Sequence, residues 1–244
     1  MALLVDGELS TLEHLESQDS GVVQVAHSEG IDLKRKLQLA QREIEIEVEG
    51  LLRRADSGRM EEVVVTGAMS RWHTLLTLAM VYRDAYFSQL NDRFGGRWQA
   101  YMKEAQEAGR RVLEGGVGLT PMPLRRPAGV DTALGMGNVG PRVYYLRASW
   151  VNALGEESAA SPLAMVEAAN PHSLTVRPRG PGAGAAGWHV YAGFAPDQVR
   201  RQTELPLPVE QEWLAPDGPL AEGPHPSEGQ EAQRFVTWRR LLRR

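Results

Sequence analysis

The chain has 244 residues, 42% of them hydrophobic, and a formal net charge of −4, which is enough apolar material for two modest cores. The acidic balance argues against a dedicated nucleic-acid binder, and the absence of cysteine excludes a disulfide framework and thiolate metal sites. No run approaches the roughly 20 apolar residues of a membrane span, and Met1–Val5 lacks the basic start of a signal peptide, so a soluble protein is expected.

The first element is an extended stub, Leu3-Leu4-Val5. Ser10 then reads as the cap of a short acidic helix carrying Leu12 and Leu15, with Glu13 placed as in a capping box. Asp19 opens a second short helix through Val22, Val23 and Ala26, stopped at Gly30. The strongest helical signal starts at Asp32, an N-cap residue, and runs to about Ala55. Leu33, Leu37, Ala40, Ile44, Val48, Leu51 and Leu52 follow the three-four spacing of one buried face. Within it, Glu43 to Glu49 alternates like a strand, but the helical spacing continues on both sides. Leu39 and Ile46 lie off the main face, seven residues apart, and mark a second contact surface.

Asp56-Ser57-Gly58 stops that helix, and Val63-Val64-Val65 reads as a packed loop. Ser70 is expected to cap the next helix, which carries Trp72, Leu75, Leu76, Ala79, Tyr86, Phe87 and Leu90. Leu78, Met80 and Val81 make it apolar almost all round, so it should be the central, most buried helix. That excess predicts more apolar surface than a monomer can hide, and so a closed ring of copies. After Gly95-Gly96 a last helix runs through Trp98, Tyr101, Met102, Ala105, Val112 and Leu113 to Gly115-Gly116. Residues 117 to 140, rich in Pro and Gly, read as a linker.

Beyond it the period changes to two. Val143 to Val151 is a strand, with Tyr144, Leu146, Ala148 and Trp150 on one face and Tyr145, Arg147 and Ser149 on the other. Asn152 to Ser158 supplies turn chemistry, and Leu163–Ala168, Ser173–Arg177 and Trp188–Gly193 give three further extended runs. Short strands at this spacing argue for an antiparallel β-sandwich over 141–222. The fold class is therefore α+β: a helical domain at 1–116, a linker at 117–140, a β-sandwich at 141–222, and a spacer with a partner-binding tail at 223–244.

The pattern YYLRASWVNALGEESAASP followed by GWHVYAGFAPD resembles the fibronectin-type-III-like modules of tailed-bacteriophage virion proteins. The resemblance covers about a third of the chain; it implies a fold and a virion setting, but no chemistry. The helical half, LSTLEHLESQDSGVVQVAHSEGIDLKRKLQLAQREIEIEVEGLL, resembles the opening of phage head–tail connector proteins, with their Ile-Asp-Leu step at Ile31-Asp32-Leu33. In that family a helical bundle forms a ring beneath the portal, usually twelvefold, and the chain's end docks onto the portal.

Motifs that would carry chemistry do not hold together. Gly135 to Gly140 and Gly182 to Gly187 both satisfy G-x-G-x-x-G, but a dinucleotide site needs a strand before the glycines and a helix after them. Both read as flexible loops. His14, His27, His73, His172, His189 and His225 show no metal-ligand spacing, and Glu43 to Glu49 point in different directions on a helix. Ser70 near His73 is first of all a cap. No catalytic residue, metal site or cofactor is assigned.

The C-terminal end is different. From Gln230 on there are five arginines and one glutamate, a local balance of +4. After a Pro/Gly-rich spacer, Pro216 to Gly229, this end reads as a mobile arm that anchors to a partner. Phe235, Trp238 and Leu242 would share a helical face, flanked by Arg239, Arg240, Arg243 and Arg244. The expected protein is a non-enzymatic virion component at the head–tail junction, assembled in the host cytoplasm. Its partners would be the portal, a tail-terminator, tail-tube or nozzle protein, and copies of itself meeting through Leu39 and Ile46. DNA would pass through the ring without sequence-specific binding, and no membrane is involved. The alternative is a baseplate or tail-surface module that binds host glycan through the β-sandwich.

Overall fold

The structure, a computed structural model, describes residues 1–7, 9–89, 93–180 and 182–238. The chain is mixed α+β with antiparallel sheets, in the order α1 (Leu12–Gln18), α2 (Val22–Ser28), α3 (Leu33–Ala55), α4 (Gly67–Gln89), α5 (Gly95–Gly115), β1 (Val117–Leu119), β2 (Gly129–Val139), β3 (Arg142–Asn152), β4 (Ala164–Ala168), β5 (His172–Arg179), β6 (Ala185–Gly193), β7 (Arg200–Arg201), β8 (Trp213–Leu214) and β9 (Arg234–Val236). It divides into two compact units, neither continuous in sequence. One comprises Met1–Asp6 with Pro121–Glu231, the other Gly7–Thr120 with Ala232–Arg244.

In the helical unit, α3 forms where the spacing predicts it. Asp32 caps it by accepting a hydrogen bond from the Arg35 N–H at 3.0 Å, and Leu37, Ala40, Ile44, Val48, Leu51 and Leu52 are buried. The chain leaves through Asp56, which adopts a left-handed conformation with φ 47°. α4 is buried on nearly every side, because α1, α2, α3 and α5 all pack against it. Most of its apolar side chains are thereby buried within one chain, while Phe87 stays 56% exposed. α5 comes close enough that a Cβ on Gly109 would sit 2.7 Å from the Trp72 ring. A glycine that weakens an isolated helix here permits a close helix–helix approach.

Two caps differ from expectation. Thr11, not Ser10, precedes α1, where His14 rather than Glu13 completes the capping box. Thr66, not Ser70, stands before α4 and accepts from the Met69 N–H at 3.3 Å. Ser10 is used elsewhere. It is buried and lies 2.6 Å from Nδ1 of His73, whose Nε2 lies 2.9 Å from the Leu37 carbonyl. A carbonyl only accepts, so Nε2 carries the proton and Nδ1 accepts from the Ser10 hydroxyl. Burial lowers the His73 pKa below its usual 6.5, with His14 adding to the effect. The unfolded chain therefore binds a proton more readily, and stability falls as pH drops below about 6.5. A His73→Gln variant, followed by urea unfolding between pH 7.5 and 5, should lose part of that slope; an unchanged slope would place the titration elsewhere.

In the second unit, β2, β5 and β8 form one sheet in the order β2-β5-β8, and the other runs β4-β3-β6-β7. Tyr144, Leu146, Ala148 and Trp150 of β3 do share the inner face predicted for them. They join Trp188, Val190 and Ala192 of β6, Leu174 and Val176 of β5, Val130 of β2 and Trp213 of β8 in one apolar cluster. At the far end of β3 the serines replace a strand. Ser158 and Ser161 accept through their hydroxyls from the Trp150 and Ala148 N–H groups at 3.0 and 3.1 Å. Their own N–H groups return bonds to the Trp150 and Ala148 carbonyls. The Asn152 side chain accepts from Leu154 and Glu156, and Gly155 takes φ +79°, closing the turn.

Leu4–Asp6 is a single 3-10 turn rather than an extended stub. Residues 117–140 are not a linker, since they contain β1 and the eleven-residue β2. The first glycine motif, expected as a loop, lies largely in β2, which passes so close to β5 that a Cβ on Gly137 would fall 2.4 Å from the His172 carbonyl carbon. The pairing shifts register between Gly135 and Val139, a bulge that small residues make possible. The second motif holds a turn and the first residues of β6. Neither precedes a helix.

Candidate partner-binding surface

β9 is antiparallel to β1, pairing Val117 with Val236, Gly118 with Phe235 and Leu119 with Arg234. Alternation then sorts the side chains. Val236 is buried, whereas Phe235 is 57% exposed. Trp238 donates its backbone N–H to the Leu113 carbonyl at 3.0 Å, yet its side chain remains 52% exposed. The Arg54 guanidinium lies over the indole at 5.4 Å from the ring centre. Leu51, Arg54, Ala55 and Ser57, at the end of α3, together with Phe235 to Trp238, line a cavity of about 660 Å³. Both the aromatic anchors and the space beside them are set on a paired ribbon.

Glu62 fixes that ribbon. It is nearly buried and accepts from Arg59 at 3.1 Å and from Arg234 at 2.9 Å. Burial alone would raise its pKa, but the two guanidiniums outweigh this and hold the carboxyl below the usual range.

The segment expected as a free arm is therefore laid down over much of its length. Pro224 O accepts from Arg201 N, Ser227 O accepts from Ala160 N, and Ala159 bridges Glu228. The Gln230 amide, buried, accepts from Leu124 N at 2.6 Å and donates to the Met122 carbonyl at 2.8 Å. Proline and glycine in this stretch permit an irregular path across a sheet rather than a mobile spacer. Phe235 and Trp238 fall on a strand and its extension, not on one helical face. Arg239, Arg240, Leu242, Arg243 and Arg244 lie outside the described residues.

Of the two residues expected at a copy–copy contact, Ile46 is 64% exposed and Leu39 is half-buried. Leu12, Val23 and Phe87 are further exposed apolar side chains of the same unit. Among the exposed aromatics described, Phe194 alone belongs to the two-sheet unit, its ring against Tyr144 and beneath Arg142.

Hydroxyl, imidazole and carboxylate groups do meet, but as a brace. Glu157 accepts from both Ser149 and Tyr191, while His189 Nδ1 faces Thr203 at 2.7 Å. Ser149 is thus committed to a carboxylate, not to an imidazole base. Burial, and then Glu157, drive the Tyr191 pKa upward. Among the described residues no cluster of three or more His, Asp or Glu side chains is arranged to hold a metal, and no helix is long and apolar enough to cross a membrane. Comparison with protein-family models, with curated proteins and with solved structures returns no match for this chain.

Proposed function

We propose that this chain is a structural, non-enzymatic virion protein, a head–tail adaptor whose copies form a ring between the portal and the tail of a tailed phage. In this reading the helical unit is the connector bundle and the two-sheet unit is a fibronectin-type-III-like sandwich. The observation that carries the reading is the pair of exposed aromatic anchors, Phe235 and Trp238, presented on a braced ribbon directly before an arginine-rich end. Large aromatics and arginines are the side chains that most often dominate protein interfaces. The exposed Ile46 beside Leu39 supports a contact between copies on the same unit. Tail-side partners, a tail-terminator, tail-tube or nozzle protein, would meet the opposite end of such a ring.

The test is binding of the full-length protein to isolated portal rings. Phe235→Ala and Trp238→Ala should each weaken the association about 30-fold, corresponding to about 2 kcal/mol per anchor. Both should leave the thermal midpoint of the free protein nearly unchanged, since each side chain is half exposed. Undiminished portal binding by both variants would remove the basis for the proposal.

A further inference from the structure

If the surface around Phe235 and Trp238 is where a partner binds, as proposed above, the cavity there also defines what that partner presents. Its walls are apolar, with Leu51 and Ala55 contributed by α3 and Phe235, Val236 and Trp238 by the ribbon and its extension. Arg54 is the one charged side chain lining it, and no carboxylate of the described residues does so. The other described arginines at this end of α3 and on β9 are committed. Arg53 donates to Glu49 at 2.6 Å, and Arg59 and Arg234 share Glu62. Arg54 differs. It is exposed, lies over the Trp238 ring, and makes neither a hydrogen bond nor an ion pair among the described residues.

A guanidinium carries its donors in a planar fork, and contact with an aromatic ring restrains the side chain without supplying the acceptors that fork is built for. We propose that the cavity receives an acidic peptide segment of the partner, with one carboxylate forked onto Arg54 and an adjacent apolar side chain seated between Leu51 and Trp238. In this arrangement Trp238 is a wall of a receptacle rather than a plug for a pocket on the partner, and Arg54 decides which segment is accepted. Charge complementarity favours this occupant. Four more arginines follow Trp238 in the sequence, so the approach to the cavity is cationic. A polyanion fits less well, because a phosphate backbone is held by several free cations in a row. Here Arg53, Arg59 and Arg234 are already engaged by Glu49 and Glu62.

The probe is a displayed library of random peptides, selected on the full-length protein and counter-selected on Trp238→Ala. Recovered peptides should carry Asp or Glu beside a large apolar residue. In a synthetic peptide of recovered sequence, changing that acid to its amide should weaken binding about tenfold, the loss expected for one charge-assisted contact. Arg54→Met should lose the same tenfold for the acidic peptide and nothing for the amide one. Arg54→Lys, which keeps the charge without the fork, should fall between. Neither variant should move the thermal midpoint, since the side chain is exposed. Recovery of neutral or basic peptides alone, of none beyond the counter-selection, or an acid-to-amide difference that Arg54→Met preserves would overturn the proposal. So would binding of duplex DNA that Arg54→Met weakens as much as it weakens the peptide, which would mark a nucleic-acid surface instead. Portal rings judge the adaptor reading separately. Peptide binding that depends on Arg54, alongside portal binding untouched by Phe235→Ala and Trp238→Ala, would keep this site and remove that reading.

Discussion

A chain ending at Glu231 should have a helical unit less stable by roughly 3 kcal/mol, read as a lower urea midpoint. Removing β9 takes Val236 from its buried place, strips β1 of its partner strand and leaves Glu62 with Arg59 alone. Burial of the valine and retention of a partnered, nearly buried carboxylate each contribute about 1–2 kcal/mol, with Arg234 discounted because it is half exposed. The pH dependence gives an independent check. The folded Glu62 pKa lies below its usual 4.5, so its stabilisation is present above that pH and is lost as pH falls through the folded value. Truncation should flatten that acid-side loss. A truncated protein with the full-length midpoint would show that the ribbon contributes nothing to the fold.

The second large effect is expected at Asp19, between α1 and α2. Its Oδ2 accepts from Tyr82 of α4 at 2.7 Å and Tyr101 of α5 at 3.0 Å, and Oδ1 accepts from Gly21 N at 3.0 Å. Arg97 donates to the Tyr82 hydroxyl at 2.9 Å and lies 3.5 Å from the carboxylate. Burial would raise the Asp19 pKa, but the two phenols, Gly21 and Arg97 together bring it below the usual value. Burial and the adjoining carboxylate push the Tyr82 hydroxyl up to about 12, so both phenols remain donors throughout the physiological range. Asp19→Ala orphans two hydroxyls and should cost roughly 3 kcal/mol, whereas Tyr101→Phe should cost about 1 kcal/mol. Because the folded pKa is depressed, the contribution is present above the unfolded carboxylate value and lost as pH falls through the folded one. A double variant as costly as the sum of the single ones would show that the groups do not act as a network.

Where pairing is local, the sequence was readable. α3 declared itself through seven apolar positions on one stripe and a capping aspartate, and β3 through four inward residues at period two. β2 escaped notice because its glycines resemble a loop, and their reason, the close passage of β5, involves residues more than thirty positions away. β9 was harder still. The spacing of Phe235, Trp238 and Leu242 fits a helix, and only β1, over a hundred residues earlier, makes Arg234–Val236 a strand. The aromatic anchors themselves were legible from residue type, but the ribbon and Glu62 that present them were not.

The division of the chain has a consequence for how it is made. One unit needs residues 1–6 and 121–231, and the other needs 7–120 and 232–244. During synthesis the helices of the helical unit can pack as they emerge, but the strand that closes it follows more than a hundred residues after β1. The first six residues must wait for more than a hundred others before their own unit exists. Completion of both units is therefore expected late and almost together, governed by long-range closure rather than by helix formation. Once formed, the units are joined by three covalent passages, near residues 6, 120 and 231, so a single proteolytic cut at one passage would not release either from the other.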